Sequence, residues 1–133
     1  MTPASAMIFA AGLGPRMGDL TRTQPKPLLD VGGKPLIDQA LKIARGAGVE
    51  RIVVNTHAHA EQIETYLKDA APDVLISHET ERLETGGGMK NALPLLGAGP
   101  VLTLNSDILW RNGDPVAGMR AQWDPERMSA LLC

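Results

Sequence analysis

The 133-residue sequence contains one cysteine, Cys133, and it is the last residue. Disulfides need pairs and thiolate metal sites need several ligands, so both are excluded, and the chain suits a reducing cytoplasm. There is no apolar run approaching the roughly 20 residues of a membrane span, and no basic N-terminal segment leading into an apolar signal core. Secretion and membrane contact are therefore not expected. An excess of cations is missing too: 13 Lys and Arg face 15 Asp and Glu, for a net charge of -2 and a pI near 5.9. Proteins that coat nucleic acid depend on the opposite balance, so nucleic acid is not an expected partner.

What is present is the composition of an ordinary folded chain, 44% hydrophobic and 21% charged, too apolar to remain disordered. The length suits a single domain over residues 1–133, with a core but no room for a second one. Short β-rich runs alternate with segments of helical period. Ala6–Ala10, Arg51–Asn55, Val74–Ser77 and Val101–Asn105 read as buried strands. Leu36, Ile37, Ala40, Leu41 and Ala44 share one helical face after Pro35, and Gly46 and Gly48 supply a stop. Ile63, Tyr66, Leu67 and Ala70 form a second stripe ended by Pro72. Met89, Ala92, Leu93 and Leu96 form a third, which Pro94 is expected to shorten or bend. This alternation predicts an α/β fold with a parallel sheet covered by helices.

In such sheets, ligands bind beyond the carboxyl ends of the strands, where the strand order reverses. The first and fourth strands are the candidates. The first runs into "AAGLGPRMGDLTRTQPKPLL", and between Ala11 and Lys34 four cations (Arg16, Arg22, Lys26, Lys34) face two anions (Asp19, Asp30). This segment is locally positive in an acidic protein. Glycines at 12 and 14 permit close backbone approach and an anion-binding nest of amides. A dinucleotide fingerprint would need a third glycine where Met17 stands, an immediate helix, and an acid where the second strand ends in Asn55. The Walker pattern is also missing. What remains is a loop of about 20 residues, a length that is usually functional when it has no secondary structure. It carries Arg16 and a Lys26 stiffened by proline on either side. The fourth strand ends in "LNSD", with the Asp107 carboxylate at its terminus.

Five segments, "AAGLGPRM", "QPKPLLDVGGKPLID", "VNTHAHAEQI", "ETERLETGGG" and "LNSDI", stand in this order, and together they resemble the sugar-1-phosphate nucleotidyltransferases. The resemblance implies a Rossmann-like three-layer nucleotidyltransferase fold with a mostly parallel sheet. Family members are considerably longer, so the chain is expected to be the N-terminal, nucleotide-binding part, truncated on the C-terminal side. The resemblance also implies transfer of a nucleoside monophosphate to a sugar 1-phosphate with release of pyrophosphate. "LETGGG" and the compact spacing are most similar to members that use UTP and N-acetylmuramate 1-phosphate; guanylyl and thymidylyl transfer are the alternatives.

By this resemblance Ala10, Ala11, Gly12, Leu13, Gly14, Pro15 and Arg16 wrap the triphosphate, while Arg16 and Lys26 stabilise the departing pyrophosphate. Asp107 ligates Mg²⁺, the implied cofactor, which is suited to one or two carboxylates plus phosphate oxygens. Glu79 and the run Glu84, Thr85, Gly86, Gly87 border the base, with Gly88 beside them. Arg16, Lys26 and Asp107 are thus the catalytic candidates. The chain departs from the family pattern at Pro15, where threonine or serine is usual, and at Ser106, where glycine commonly precedes the aspartate. Two readings from other classes stay open: a nucleotide-binding module without catalysis, and an interaction fragment pairing through its fourth strand. His57 and His59 read as residues leading into a helix, since no third zinc ligand is near. "WDPERM", with Trp123, reads as a turn and short helix without chemistry.

Overall fold

The computed structural model describes residues 2–133. Its centre is β1 (Ser5–Phe9), flanked by β4 (Arg51–Thr56) and β6 (Val101–Asn105), with β5 (Leu75–His78) beyond β4. The order β5-β4-β1-β6 is parallel throughout. A central parallel strand is covered on both faces and needs an unbroken apolar run. Ala6, Met7 and Ile8 are accordingly all fully buried.

Alternate residues of the strands face two different cores. Ala6, Ile8, Ile52 and Val54 pack with Ile37, Ala40, Leu41 and Ala44 of α1 (Ile37–Gly46) and with Ile63 and Leu67 of α2 (Ala60–Ala70). Met7 and Val53 face the other way, onto Ala92 and Leu96 of α3 (Glu84–Leu96). Helices therefore cover both faces of the sheet, giving the three layers expected. The chain runs outward from β1 through β4 to β5, and then crosses to the far side of β1 for β6. The reversal leaves a crevice between the carboxyl ends of β1 and β6.

Three expectations about local structure are corrected. The long segment after β1 is not devoid of secondary structure: 3-10 turns occupy Pro15–Thr21 and Lys26–Leu28. A small antiparallel hairpin, β2 (Asp30–Val31) with β3 (Lys34–Pro35), follows them. Proline and glycine erase any long period here, yet each turn closes locally, as in Leu28 N to Pro25 O at 3.0 Å. The third helix starts at Glu84, ahead of Met89, taking in three glycines, and Pro94 lies inside it without ending it before Leu96. Glycines cost about 1 kcal/mol each in a helix, so propensity argued against this first turn; its packing, described below, outweighs that cost. Finally, "WDPERM" contains no helix; the short helix lies just before it, where α4 (Pro115–Gln122) is set by Asp114, whose side chain accepts from Val116 N at 2.9 Å, and by Pro115 in the first turn. Trp123 follows it, and Asp124–Arg127 form a turn. Among the described residues no helix is long and apolar enough to cross a membrane.

Helices α1 and α2 are joined by the partly buried Tyr66, whose hydroxyl donates to Asp38 Oδ1 at 2.6 Å. Burial, then this hydrogen bond and the adjacent negative charge, push the phenol from 10.0 up to about 12. The native state thus prefers the protonated ring, and this contribution to stability is fully present below pH 10 and lost as pH rises towards 12. An absorbance titration of tyrosinate is expected to place Tyr66, the only tyrosine, near 12. Asp38→Asn should move it towards the ordinary value; a midpoint at 10 in the unaltered chain would contradict the assignment.

Candidate nucleotide site

The crevice at the strand reversal is a cleft of about 400 Å³. The segment leaving β1 forms one wall, contributing Ala10, Ala11, Gly12, Leu13, Gly14, Pro15 and Arg16. Lys26 and Asp107 lie on it, and Glu79, Glu84 and Thr85 line the side nearest α3. Gly86 and Gly87 do not line it, contrary to expectation. They lie within the first turn of α3, and a Cβ at Gly87 would stand 3.0 Å from Leu83 Cβ, so there the missing side chain serves close packing inside the segment. Asn55, Arg82 and Ser106 also reach the cleft, and no motif in the sequence marks any of them for binding. In sequence, Asn55 marks only the absence of the acid that a dinucleotide site requires at the end of the second strand.

Local chemistry explains the shape of the first wall. Gly14 adopts φ 62°, ψ 37°, the left-handed region, and precedes the turn that Pro15 opens. Gly14 O accepts from Thr21 Oγ1 at 2.7 Å and from Met17 N at 3.1 Å. A Cβ at Gly14 would meet Thr21 Cγ2 at 3.2 Å as well as straining the backbone. Proline suits the position after Gly14, because the first residue of a helical turn has no internal partner for an amide and its fixed φ is preorganised. The departure at Pro15 thus removes a possible ligand donor while firming the loop. The departure at Ser106 causes no crowding: its hydroxyl donates to Phe9 O at 2.6 Å and is buried there.

One binding role assigned by sequence is revised. The Ala10 amide donates to Asn55 Oδ1 at 2.7 Å, so the amides free for an anion begin at Ala11. Glu79, 2% exposed, accepts from Asn55 Nδ2 at 2.9 Å through Oε1 and from Leu83 N at 3.4 Å through Oε2. Its carboxyl group is engaged in holding the wall. Glu84 opens α3 at φ 60°, a conformation unusual without glycine, and such strain concentrates at functional sites.

The cleft's charges are largely self-compensated. Lys26 Nζ lies 2.8 Å from Asp107 Oδ2, both about one-third exposed, and Arg82 Nε lies 3.4 Å from Glu84 Oε1. Among the described residues Arg16 has no ion-pair partner, leaving it as the uncompensated cation beside the loop amides. Those residues also contain no cluster of three or more His, Cys, Asp or Glu side chains able to hold a metal. A hard cation sharing the single carboxylate of Asp107 with phosphate oxygens and water is the arrangement that fits this donor set, and it is the one Mg²⁺ favours.

His57 and His59 are accounted for structurally. His57 Nδ1 lies 2.9 Å from Glu79 O, and His59 is the residue that leads into α2.

Comparison with known proteins places these features in context. Residues 6–133 match the MobA-like NTP transferase domain family. The chain is 48% identical over 138 aligned positions to the N-acetylmuramate alpha-1-phosphate uridylyltransferase of Caulobacter vibrioides, covering 98% of this chain and 57% of that protein. It is 47% identical to the protein of the same name from Neisseria meningitidis serogroup B, covering 96% of this chain and 57% of that protein. The chain therefore spans a little over half the length of these relatives. Among solved structures, HddC from Yersinia pseudotuberculosis superposes with a TM-score of 0.72 at 28% identity, over 90% of this chain and 54% of that one.

Proposed function

The chain belongs to the MobA-like NTP transferase family, and from that premise we propose that its cleft binds UTP for transfer of the uridylyl group to a sugar 1-phosphate, N-acetylmuramate 1-phosphate, with Mg²⁺ as cofactor. The observation that carries this reading is convergence: a glycine-bearing loop, an uncompensated Arg16, Lys26 and Asp107 meet in one cleft at the strand reversal. The choice of UTP rests on the two uridylyltransferases that share nearly half its residues.

In the proposed reaction a phosphate oxygen of the sugar 1-phosphate attacks the α-phosphorus of UTP in line. The new P–O bond forms as the bond to the bridging α–β oxygen breaks, and pyrophosphate leaves with that electron pair. Little covalent chemistry falls to the protein, whose tasks are positioning and charge neutralisation. Amides from Ala11 onward wrap the phosphates, Arg16 supplies charge that nothing else in the cleft consumes, and Lys26 moves from Asp107 to the β- and γ-phosphate oxygens. Asp107, together with phosphate oxygens, would hold Mg²⁺, which would supply further neutralisation of the triphosphate.

Nucleotide binding is the property that the residues of this chain govern most directly. Calorimetric titration of UTP, GTP, dTTP and ATP, each with and without Mg²⁺, is expected to give tightest binding for UTP, strengthened by Mg²⁺. Adding N-acetylmuramate 1-phosphate to the full-length protein is expected to release pyrophosphate. A preference for GTP would move the reading to guanylyl transfer; no binding of any nucleotide by the folded chain would overturn it.

A further inference from the structure

The peptide joining Phe9 to Ala10 is where the chain leaves β1 and begins the wall of the cleft. Its carbonyl belongs to the last residue of β1 and its amide to the buried Ala10, so each needs a partner at the strand end. Side chains from the two neighbouring strands provide them. Asn55, in register with Phe9 on β4, accepts from Ala10 N at 2.7 Å. On the opposite side Ser106, directly after β6, donates from Oγ to Phe9 O at 2.6 Å, with its own amide 3.3 Å from the same oxygen. Asn55 is 3% exposed and Ser106 is 4% exposed.

We propose that Asn55 and Ser106 clamp the Phe9–Ala10 peptide from both sides and thereby set the path of residues 11–16 relative to Asp107, making them positioning residues for nucleotide binding. This rests on the reading of the cleft as a nucleotide site and adds residues which that reading leaves without a role.

Sequence position strengthens the assignment. Ser106 is the residue before Asp107, so the β6 arm of the clamp ties the backbone of the carboxylate to the same peptide that launches the phosphate-binding loop. The β4 arm reaches the third wall: Asn55 Nδ2 donates to Glu79 Oε1 at 2.9 Å, and Glu79 Oε2 receives Leu83 N at 3.4 Å just before α3. With its oxygen held by an amide donor and its nitrogen by a carboxylate acceptor, the Asn55 side chain has one permitted orientation. Gly88 closes over this pair. A Cβ there would stand 2.6 Å from Glu79 Oε1 and 2.8 Å from Asn55 Nδ2, and this close approach is what the third glycine of "GGG" provides. All three walls of the cleft thus meet at one buried network, which fixes geometry better than isolated bonds do.

The test compares UTP affinity by calorimetry, Ala10 amide exchange by NMR and melting temperature. Loss of one buried hydrogen bond corresponds to about a tenfold change, and Asn55→Ala is expected to weaken UTP binding and speed Ala10 exchange by at least about that factor. Ser106→Ala keeps the backbone bond and should weaken binding by about three- to fivefold, whereas Ser106→Thr, which restores the hydroxyl, should return it to within about twofold. Gly88→Ala displaces the pair from its other side and should reproduce Asn55→Ala, which keeps the inference testable if one variant fails to fold. Val53→Ala, on β4 but facing α3, should lower the melting temperature while leaving UTP affinity within about twofold.

If Asn55→Ala or Gly88→Ala frees the Ala10 amide yet binds UTP as tightly as the unaltered chain, the clamp has no positioning role and the nucleotide reading stands. A loss of affinity in Val53→Ala equal to that in Asn55→Ala would likewise reduce the effect to stability. If the unaltered chain holds the Ala10 amide protected but binds no UTP, the nucleotide reading itself falls and the positioning role falls with it.

Discussion

Lys26→Met is expected to weaken UTP binding by about ten- to a hundredfold and to lower turnover of the full-length protein at least as much. The magnitude follows from what the ammonium group exchanges. In the structure it holds Asp107 at 2.8 Å, with about one-third of each side chain exposed. Pairs this exposed contribute at most about 1 kcal/mol, because water screens them. Transferring Lys26 to a triphosphate therefore gives up little, while a charge-assisted hydrogen bond to phosphate contributes about 1.5–3 kcal/mol. Pro25 and Pro27 flank the lysine and limit the conformational freedom it must lose. A methionine keeps the length of the stem and removes only the charge. Affinity measured by calorimetry at fixed ionic strength checks the result; affinity unchanged within error would remove Lys26 from the site.

Asp107→Asn is expected to behave differently, and the difference is diagnostic. Turnover of the full-length protein should fall about 10²- to 10³-fold, the usual cost of losing a group that stabilises developing charge. Nucleotide binding measured without divalent cations should hold steady or tighten by about twofold, because Lys26 is freed from its carboxylate partner at a cost of at most about 1 kcal/mol. The strengthening of UTP binding by Mg²⁺ should disappear. Lys26→Met, in contrast, loses binding with or without the cation. A double-mutant cycle across the two positions measures their coupling directly. An Asp107→Asn variant that retains its full response to Mg²⁺ would show that the cation is held elsewhere.

How much of this was legible in sequence depends on the range of the interactions concerned. Apolar runs placed all four main strands to within two residues, because a buried parallel strand must be continuously apolar along its length. Alternation predicts the parallel sheet but not the order of its strands; the rule that ligands bind beyond the carboxyl ends of such strands directs attention to Arg16, Lys26 and Asp107, which the structure brings to one cleft. Locally coded features in irregular sequence were less visible. The 3-10 turns around Pro15 and Lys26 and the hairpin at Gly32–Gly33 are short enough to leave no period. The first turn of α3 leaves no apolar stripe because three glycines oppose a helix by propensity, whereas the reason for one of them, Gly88, is a contact with residues 55 and 79 distant in the chain. The roles of Asn55 and Ser106 are tertiary in the same sense. Each is a short polar residue at a strand end, ordinary in sequence, and each acquires its meaning from the Phe9–Ala10 peptide of β1: Asn55 lies 45 residues from Ala10, and Ser106 lies 97 residues from Phe9.

The most direct test of the cleft as a nucleotide site is a titration of UTP with Mg²⁺ into the isotopically labelled chain, following backbone amide shifts. The result expected is saturable movement of the amides from Ala11 to Arg16 and at Lys26 and Asp107, while those of α2, Ala60–Ala70, on the covered face of the sheet stay in place. Saturable shifts confined to α2 or α4, with residues 11–16 unmoved, would contradict it and place the ligand elsewhere on the molecule.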